Sequence, residues 1–334
     1  MLKQKAVVSI LALLACASAN ASCNKEQPIQ IANMTFASAS IVAHIESKII
    51  GDGFGCNVEL VPGDTVTTAT TMAKKGAPDV GPEMWTTNIS AILAEGEHSG
   101  NLVVAGDIIS SGGVEGWWIP KYLSEQYPDF KSVADMPRYA ELFSDPNEPE
   151  KGRFYNCPPG WGCEIVNHNL FKAYGLGDSY SIFSPGSGAA LDATIASAYK
   201  RKKPWIGYYW GPTAILGKYD MVQLEMNPHD PELDACNSNP ECAKPHAGAF
   251  SNVRVVTAVS SSLKASDPDI YQFLSQVSMD LDTYNAILSW SDENKKDPNE
   301  TAEYFIENYA SVWEKWVPAH VATRLKNTQD QAGQ

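Results

Sequence analysis

The chain has 334 residues, with 25 Lys and Arg against 39 Asp and Glu and a formal charge of −14 at pH 7. An acidic excess of this size repels nucleic acid and anionic lipid, which disfavours both as partners and says little more. The length exceeds one ordinary domain, so two lobes are expected.

Residues 1–21 carry Lys3 and Lys5, an apolar run from Ala6 to Ala15, and then Ala19-Asn20-Ala21. This is the pattern of a secretory signal peptide with an A-x-A cleavage site, and its apolar run is shorter than the ~18 residues of a membrane span. Leu13-Leu14-Ala15-Cys16 loosely fits a lipobox, which leaves lipid attachment at Cys16 as the alternative. The mature protein is expected to be soluble and exported to the periplasm. Cys23, Cys56, Cys157, Cys163, Cys236 and Cys242 remain. An even number in an exported chain argues for disulfides over metal sites or a catalytic thiol. The local pairs Cys157 with Cys163 and Cys236 with Cys242 are the economical choice, leaving Cys23 with Cys56.

From Ile29 to Ala32 the pattern predicts a strand, and from Ser38 to Ile50 a helix with Ile41, Ile45 and Ile49 on one stripe and Gly51 as its C-cap. Asn57 to Val61 reads as a second strand and Thr65 to Lys75 as a helix ended by Gly76. This alternation predicts an α/β lobe with a mainly parallel sheet, where ligands meet the loops at the strands' carboxyl ends. Asp79 to Trp85 leads into such a loop, and if it is extended, Glu83 and Trp85 share a face. Leu102 to Ile109 is an apolar strand, and Ser110-Ser111-Gly112-Gly113 marks the first crossing between lobes. Next comes Val114 to Ile119, where Glu115 and Trp117 share one face and Trp118 takes the other. Tyr122 to Arg153 reads as surface helices and loops.

Further on, Ser187 is expected to cap a helix running from Ala189 to Lys200. Pro204 to Pro212 is a β-rich aromatic run in which Tyr208 and Trp210 share a face, and Met221 to Met226 reads as a strand. The Pro- and Asp-rich loop from Asn227 to His246 holds Asp230, Glu232 and Asp234, for which calcium is conceivable although no EF-hand spacing is present. Val253 to Val259 is the strand that returns the chain to the first lobe, and Asp267 to Leu325 reads as helices with Trp290, Trp313 and Trp316 in their core. Residues 22–112 with 245–334 would form one lobe and 113–244 the other.

The stretch from Asn156 to His168 stands apart. Cys157 and Cys163 enclose Pro158-Pro159-Gly160 and Gly162, so a disulfide would close a short loop that holds Trp161 at a fixed angle. A helix pattern follows, placing Gly162, Cys163 and Glu164 near its N-terminus, where free amides and the helix dipole attract the negative end of a ligand. An aromatic face beside free amides makes half of a site for a zwitterion; the same residues also suit a stapled surface turn with an anchoring Trp.

Cys157-Pro158-Pro159-Gly160-Trp161-Gly162-Cys163-Glu164 followed by Asn167-His168 resembles the glycine betaine binding proteins of ABC importers, with one residue fewer between Glu164 and Asn167 than in that family. The resemblance extends from about residue 28 to about residue 325. It implies a two-lobed periplasmic binding protein of type II, the Venus flytrap architecture, with its ligand cleft between lobes. It also implies a monomer that hands a methylated ammonium osmolyte to a membrane permease and carries no cofactor. By position, Trp85, Trp161 and Trp210 fall where that family's cage tryptophans lie, the amides of Gly162 and Cys163 where the betaine carboxylate is held, and Trp117 where a fourth wall can stand. Two departures bear on the ligand. Ile89 stands where a carboxylate-binding His is found in the family, and Glu83 and Glu115 stand where neutral residues are usual. Both shift weight towards a trimethylammonium compound without a carboxylate, which leaves trimethylamine N-oxide and glycine betaine side by side as the expected ligand, with choline as the alternative. A secreted enzyme using Glu83, Glu115 or Glu164 as acid or base is the contrasting reading, but H-E-x-x-H, C-x-x-C and P-loop motifs are missing from the sequence. A chemoreceptor adaptor that reports ligand without transport is compatible with the same residues.

Overall fold

The computed structural model describes residues 23–250 and 253–332. The segment read as a signal peptide, with Cys16, lies outside the described residues. Two five-stranded sheets, each flanked by helices, make a two-lobed α/β protein.

The first sheet has the order β2-β1-β3-β10-β4, built from β1 (Ile29–Met34), β2 (Val58–Gly63), β3 (Val80–Trp85), β4 (Leu102–Asp107) and β10 (Val255–Ser260). The second has the order β7-β6-β8-β5-β9, from β5 (Val114–Pro120), β6 (Gly152–Tyr155), β7 (Tyr180–Phe183), β8 (Gly207–Gly211) and β9 (Met221–Gln223). In each sheet four strands run one way and a single strand opposes them: β10 is antiparallel to β3 and β4, and β5 is antiparallel to β8 and β9. The opposing strand is in both cases the one that has just crossed from the other lobe. Because β5 enters against the grain, its first residues lie at the same edge as the carboxyl ends of β6 and β8. The mainly parallel expectation therefore holds, with the crossing strands as the exception.

The first helix does not stop at Gly51. Ala37–Lys48 runs on into a π-turn, Ile49–Phe54, and the left-handed residue is Gly55 with φ 81°. The apolar stripe explains this, since Ile50 and Phe54 are both buried and carry the stripe a turn further. The strand expected over Met221 to Met226 is shorter, and between Tyr122 and Arg153 the chain contributes β6 as well as helical turns. Ser187 caps Gly188–Arg201 by accepting from the Ala190 amide. All three expected disulfides are formed, Cys23–Cys56, Cys157–Cys163 and Cys236–Cys242. In the loop after β9, Asp230 accepts the Glu232 amide and Asp234 pairs with His229 at 2.9 Å, so two of the three carboxylates considered for calcium serve the loop itself. Trp313 and Trp316 are core residues, whereas Trp290 is half-buried and stacks on Tyr304 at 3.6 Å.

Glu46 is a buried carboxyl under the first sheet, and neither of its oxygens has a hydrogen-bond partner among the described residues. Burial pushes its pKa up to about 8, a rise that the neighbouring Thr257 opposes. A raised folded-state pKa means that the folded protein holds a proton the unfolded chain has released. Its contribution to stability is complete below about pH 4.5 and is lost as pH climbs through about 8. Urea unfolding at pH 5, 6.5 and 8 should show stability falling with pH, by up to ~1.4 kcal/mol per unit for each such carboxyl. Glu46→Gln should flatten that slope, and an unchanged slope in the variant would assign the pH dependence elsewhere.

Candidate functional site

The two sheets bring the carboxyl ends of their strands to one cleft, and each end delivers part of an aromatic cavity. From the first lobe come Phe36 just after β1, Thr65 after β2, and Trp85 and Asn88 at and beyond the end of β3. From the second come Glu115 at the start of β5, Trp161, Gly162 and Cys163 after β6, and Tyr208 and Trp210 on β8. The residues close on one another tightly, leaving room for little more than a water molecule among them. A wider, more open cleft adjoins this one, and Phe36 and Trp210 line both.

Trp161 occupies the N-cap position of the helix Gly162–Ala173. Its ring meets Trp210 edge-on at 5.1 Å and Phe36 of the opposite lobe at 5.1 Å. Its indole Nε1 donates to Thr35 Oγ1 at 3.0 Å, a hydrogen bond across the cleft. As the first two residues of the helix, Gly162 and Cys163 keep amides that the helix cannot satisfy, and these lie at its positive end. The Cys157–Cys163 disulfide spans the turn, and the Gly160 carbonyl accepts the Val66 amide from the other lobe at 3.2 Å. At Gly162 the lobes approach closely: a Cβ there would stand 2.8 Å from Asn88 Cβ and 3.0 Å from the Asn88 carbonyl oxygen.

Glu115 is 2 % exposed. Its Oε1 accepts from Asn88 Nδ2 of the first lobe at 2.7 Å and from the Tyr208 hydroxyl. The register that pairs Glu115 with Trp210 and Trp117 with Tyr208 sets the Tyr208 hydroxyl on a diagonal to Glu115. Glu115 Oε2 and Asn88 Oδ1 have no hydrogen-bond partner among the described residues, although both side chains are buried in the cavity wall. Desolvation pushes the Glu115 pKa up to about 7, against the opposing pull of Tyr208 and Asn88. Near neutrality the cavity therefore holds a carboxyl poised between a neutral donor and an anion.

Trp85, Trp161, Trp210, Gly162, Cys163 and Glu115 thus meet in one cavity, while Trp117 and Glu83 do not line it. Trp117 shares the Glu115 face of β5 but stands two residues further along the strand, where the helix Gly162–Ala173 covers that face. It is fully buried, packs on Phe154 at 4.7 Å, and its indole donates to Asn167 Oδ1 at 2.7 Å. Asn167 in turn reaches Cys157 Sγ at 3.7 Å, so Trp117 braces the disulfide turn from behind and is not a fourth wall. Glu83 lies behind Trp85 and accepts its indole N–H at 3.3 Å. Desolvation pushes the Glu83 pKa up to about 7, opposed by donors from Tyr284, Ser38 and Trp85. Glu164, the other acid considered, pairs with His168 at 3.1 Å on the outer surface of the helix. Sequence reasoning missed Phe36, Thr65 and Asn88 as lining residues. All three follow the carboxyl ends of strands in the first sheet, and that placement was the available signal.

The family described as the substrate binding domain of the ABC-type glycine betaine transport system matches residues 27–308. The chain is 21% identical over 308 residues to the trimethylamine N-oxide-binding protein of Pelagibacter ubique, covering 91% of this chain and 95% of that protein. It is 35% identical over 107 residues to the glycine betaine/proline betaine-binding periplasmic protein of Salmonella typhimurium, a stretch that spans about a third of each, 31% in both cases. Among solved structures, the glycine betaine, L-proline ABC transporter binding protein of Borrelia burgdorferi has a TM-score of 0.72 at 19% identity, covering 90% of this chain and 100% of that one. At that identity the likeness speaks for the fold.

Proposed function

The chain belongs to the family of substrate-binding domains of ABC-type glycine betaine transport systems, and from that premise we propose that it captures trimethylamine N-oxide in the aromatic cavity between its lobes and presents it to a membrane permease from the periplasm. The family is one of solute-binding domains, so the enzymatic reading is set aside.

The observation that carries the reading is the joining of three tryptophans from both lobes with one buried, half-satisfied carboxyl, Glu115. A methylated ammonium group donates no strong hydrogen bond, so its charge is best met by aromatic faces, each worth ~0.5 to 2 kcal/mol once desolvated. Several faces together supply much of the ~8 kcal/mol of a micromolar complex. At the other end of the ligand, an N-oxide oxygen accepts hydrogen bonds. The Gly162 and Cys163 amides and a protonated Glu115 are donors of the right kind. A carboxylate in the same place would meet the Glu115 charge in a desolvated cleft, and Ile89, buried and apolar, offers it no donor. The relative aligned over most of this chain, named for trimethylamine N-oxide, supports the same choice. Choline is the second reading, favoured by the two unpartnered acceptors, Glu115 Oε2 and Asn88 Oδ1, which suit a ligand hydroxyl.

Calorimetric titration of the mature protein, freed of endogenous ligand, with trimethylamine N-oxide, glycine betaine and choline at pH 6 and pH 8 tests this. Below about pH 7 Glu115 is neutral and donates; above it the group is an anion. Trimethylamine N-oxide should bind tightest and lose about tenfold in affinity between the two pH values, as expected for one linked proton. Choline should show the opposite slope. Glu115→Gln, which keeps a donor at every pH, should remove the pH dependence. Tightest binding by glycine betaine with no pH dependence would overturn the ligand choice.

A further inference from the structure

β3 departs from regular geometry next to Trp85. Against β10, Gly81 pairs with Ala258 and Met84 with Val256, so three steps on β3 oppose two on its partner. The extra residue falls at Pro82-Glu83, and Glu83 has φ 53°, a left-handed conformation uncommon for a residue with a side chain. A bulge of this kind re-aims a side chain. The side chain it re-aims is 1 % exposed and fully engaged: Oε1 accepts from Ser38 Oγ at 2.7 Å and from Trp85 Nε1 at 3.3 Å, while Oε2 accepts from the Tyr284 hydroxyl. Behind the same indole, a Cβ at Gly113 would stand 2.4 Å from Trp85 Cη2 and Cζ3, so the ring is seated directly on the first crossing between lobes. Tyr284 belongs to the helix Leu281–Asn294, whose far end pairs Asp292 with Lys218 of the second lobe at 2.7 Å.

We propose that Glu83 is a positioning residue for ligand capture: it fixes the Trp85 indole as a cavity wall and fastens that wall to the helix Leu281–Asn294, which touches the opposite lobe. Glu83 acts through Trp85 and does not itself meet the ligand. This inference rests on the reading that Trp85 is a wall of the ligand cavity.

The test is a double-mutant cycle read by calorimetry, with trimethylamine N-oxide, glycine betaine and choline as probes, on the wild type, Glu83→Leu, Trp85→Phe and the double variant. Glu83→Leu should weaken binding about tenfold at unchanged stoichiometry, which separates weaker sites from fewer folded molecules. In the Trp85→Phe background, which lacks the indole N–H, the same change should have less than a threefold effect. Glu83→Gln, which retains an acceptor for Trp85 and Ser38, should recover affinity to within about threefold of wild type. An equal loss in both backgrounds, or no loss in either, would overturn the proposal. A measurement without ligand separates it from the cavity reading. The Trp85 indole N–H should exchange with solvent at least tenfold faster in Glu83→Leu than in the wild type. If the wild type binds none of the three compounds the ligand reading fails, while the exchange rate still decides whether Glu83 holds the indole; unchanged exchange refutes it.

Discussion

Trp161→Ala is expected to abolish useful ligand capture, lowering affinity at least about 100-fold, or ~2.8 kcal/mol. Three losses combine. One aromatic face of ~0.5 to 2 kcal/mol disappears from around the cation. The edge-on contact with Trp210 goes, leaving that ring with one neighbour fewer. The hydrogen bond to Thr35 and the contact with Phe36, both made across the cleft, no longer favour the closed arrangement. The fold itself should survive, because the turn is closed by Cys157–Cys163 and backed by Trp117 and Asn167. Calorimetry on the folded variant provides the measurement. Affinity within threefold of wild type would return Trp161 to the role of a scaffold residue in a surface turn.

Gly162→Val should have an effect of similar size for a different reason. The atoms nearest to a new Cβ are Asn88 Cβ at 2.8 Å, the Asn88 carbonyl oxygen at 3.0 Å and Ile89 Cγ2 at 3.2 Å, all in the opposite lobe. A backbone oxygen cannot swing aside as a flexible side chain can. The branched valine would therefore hold the lobes apart rather than disturb either one. On the proposed mode of capture, closure holds Trp85 and Asn88 against Trp161 and Glu115, so a variant unable to close should bind at least about 100-fold more weakly, ~2.8 kcal/mol, while unfolding cooperatively like the wild type. Small-angle scattering with saturating ligand should give the variant a larger radius of gyration than the wild type. Equal radii together with unimpaired binding would show that the bound state does not need the close approach at Gly162.

Local signals carried the α/β alternation, the crossings and the stapled turn into view before any coordinates. The glycines and serines at 110–113 do lie between β4 and β5, and the Pro-Pro-Gly turn does end in a helix N-terminus with free amides. What stayed hidden depends on depth along a strand and on pairs far apart in the chain. Period two correctly placed Trp117 and Glu115 on one face, yet periodicity does not say that a helix covers that face two residues in. Period two also puts Glu83 and Trp85 on one face, but the bulge between Gly81 and Met84 is a mismatch with β10, a strand more than 150 residues later, and no local pattern announces it. Phe36 and Asn88 carry no motif. They enter the cavity only because they follow the ends of β1 and β3, and which ends face the cleft is decided by the order of strands in the sheet.

That strand order also fixes a sequence of events in synthesis. Every strand of the second sheet lies between residues 114 and 223, so its pairings are all available once that stretch has emerged. The first sheet is different: β10, its only link between β3 and β4, lies at Val255–Ser260, and Val255 pairs with Trp85 itself. Until the last quarter of the chain arrives, β4 lacks the strand partner it has among the described residues and Trp85 lacks its pairing with Val255. Long-range pairings of this kind are slow to form and leave strand edges open meanwhile. The lobe that begins first is thus completed last, and a chain stalled before residue 255 would hold Trp161 and Trp210 with nothing fixed to close against.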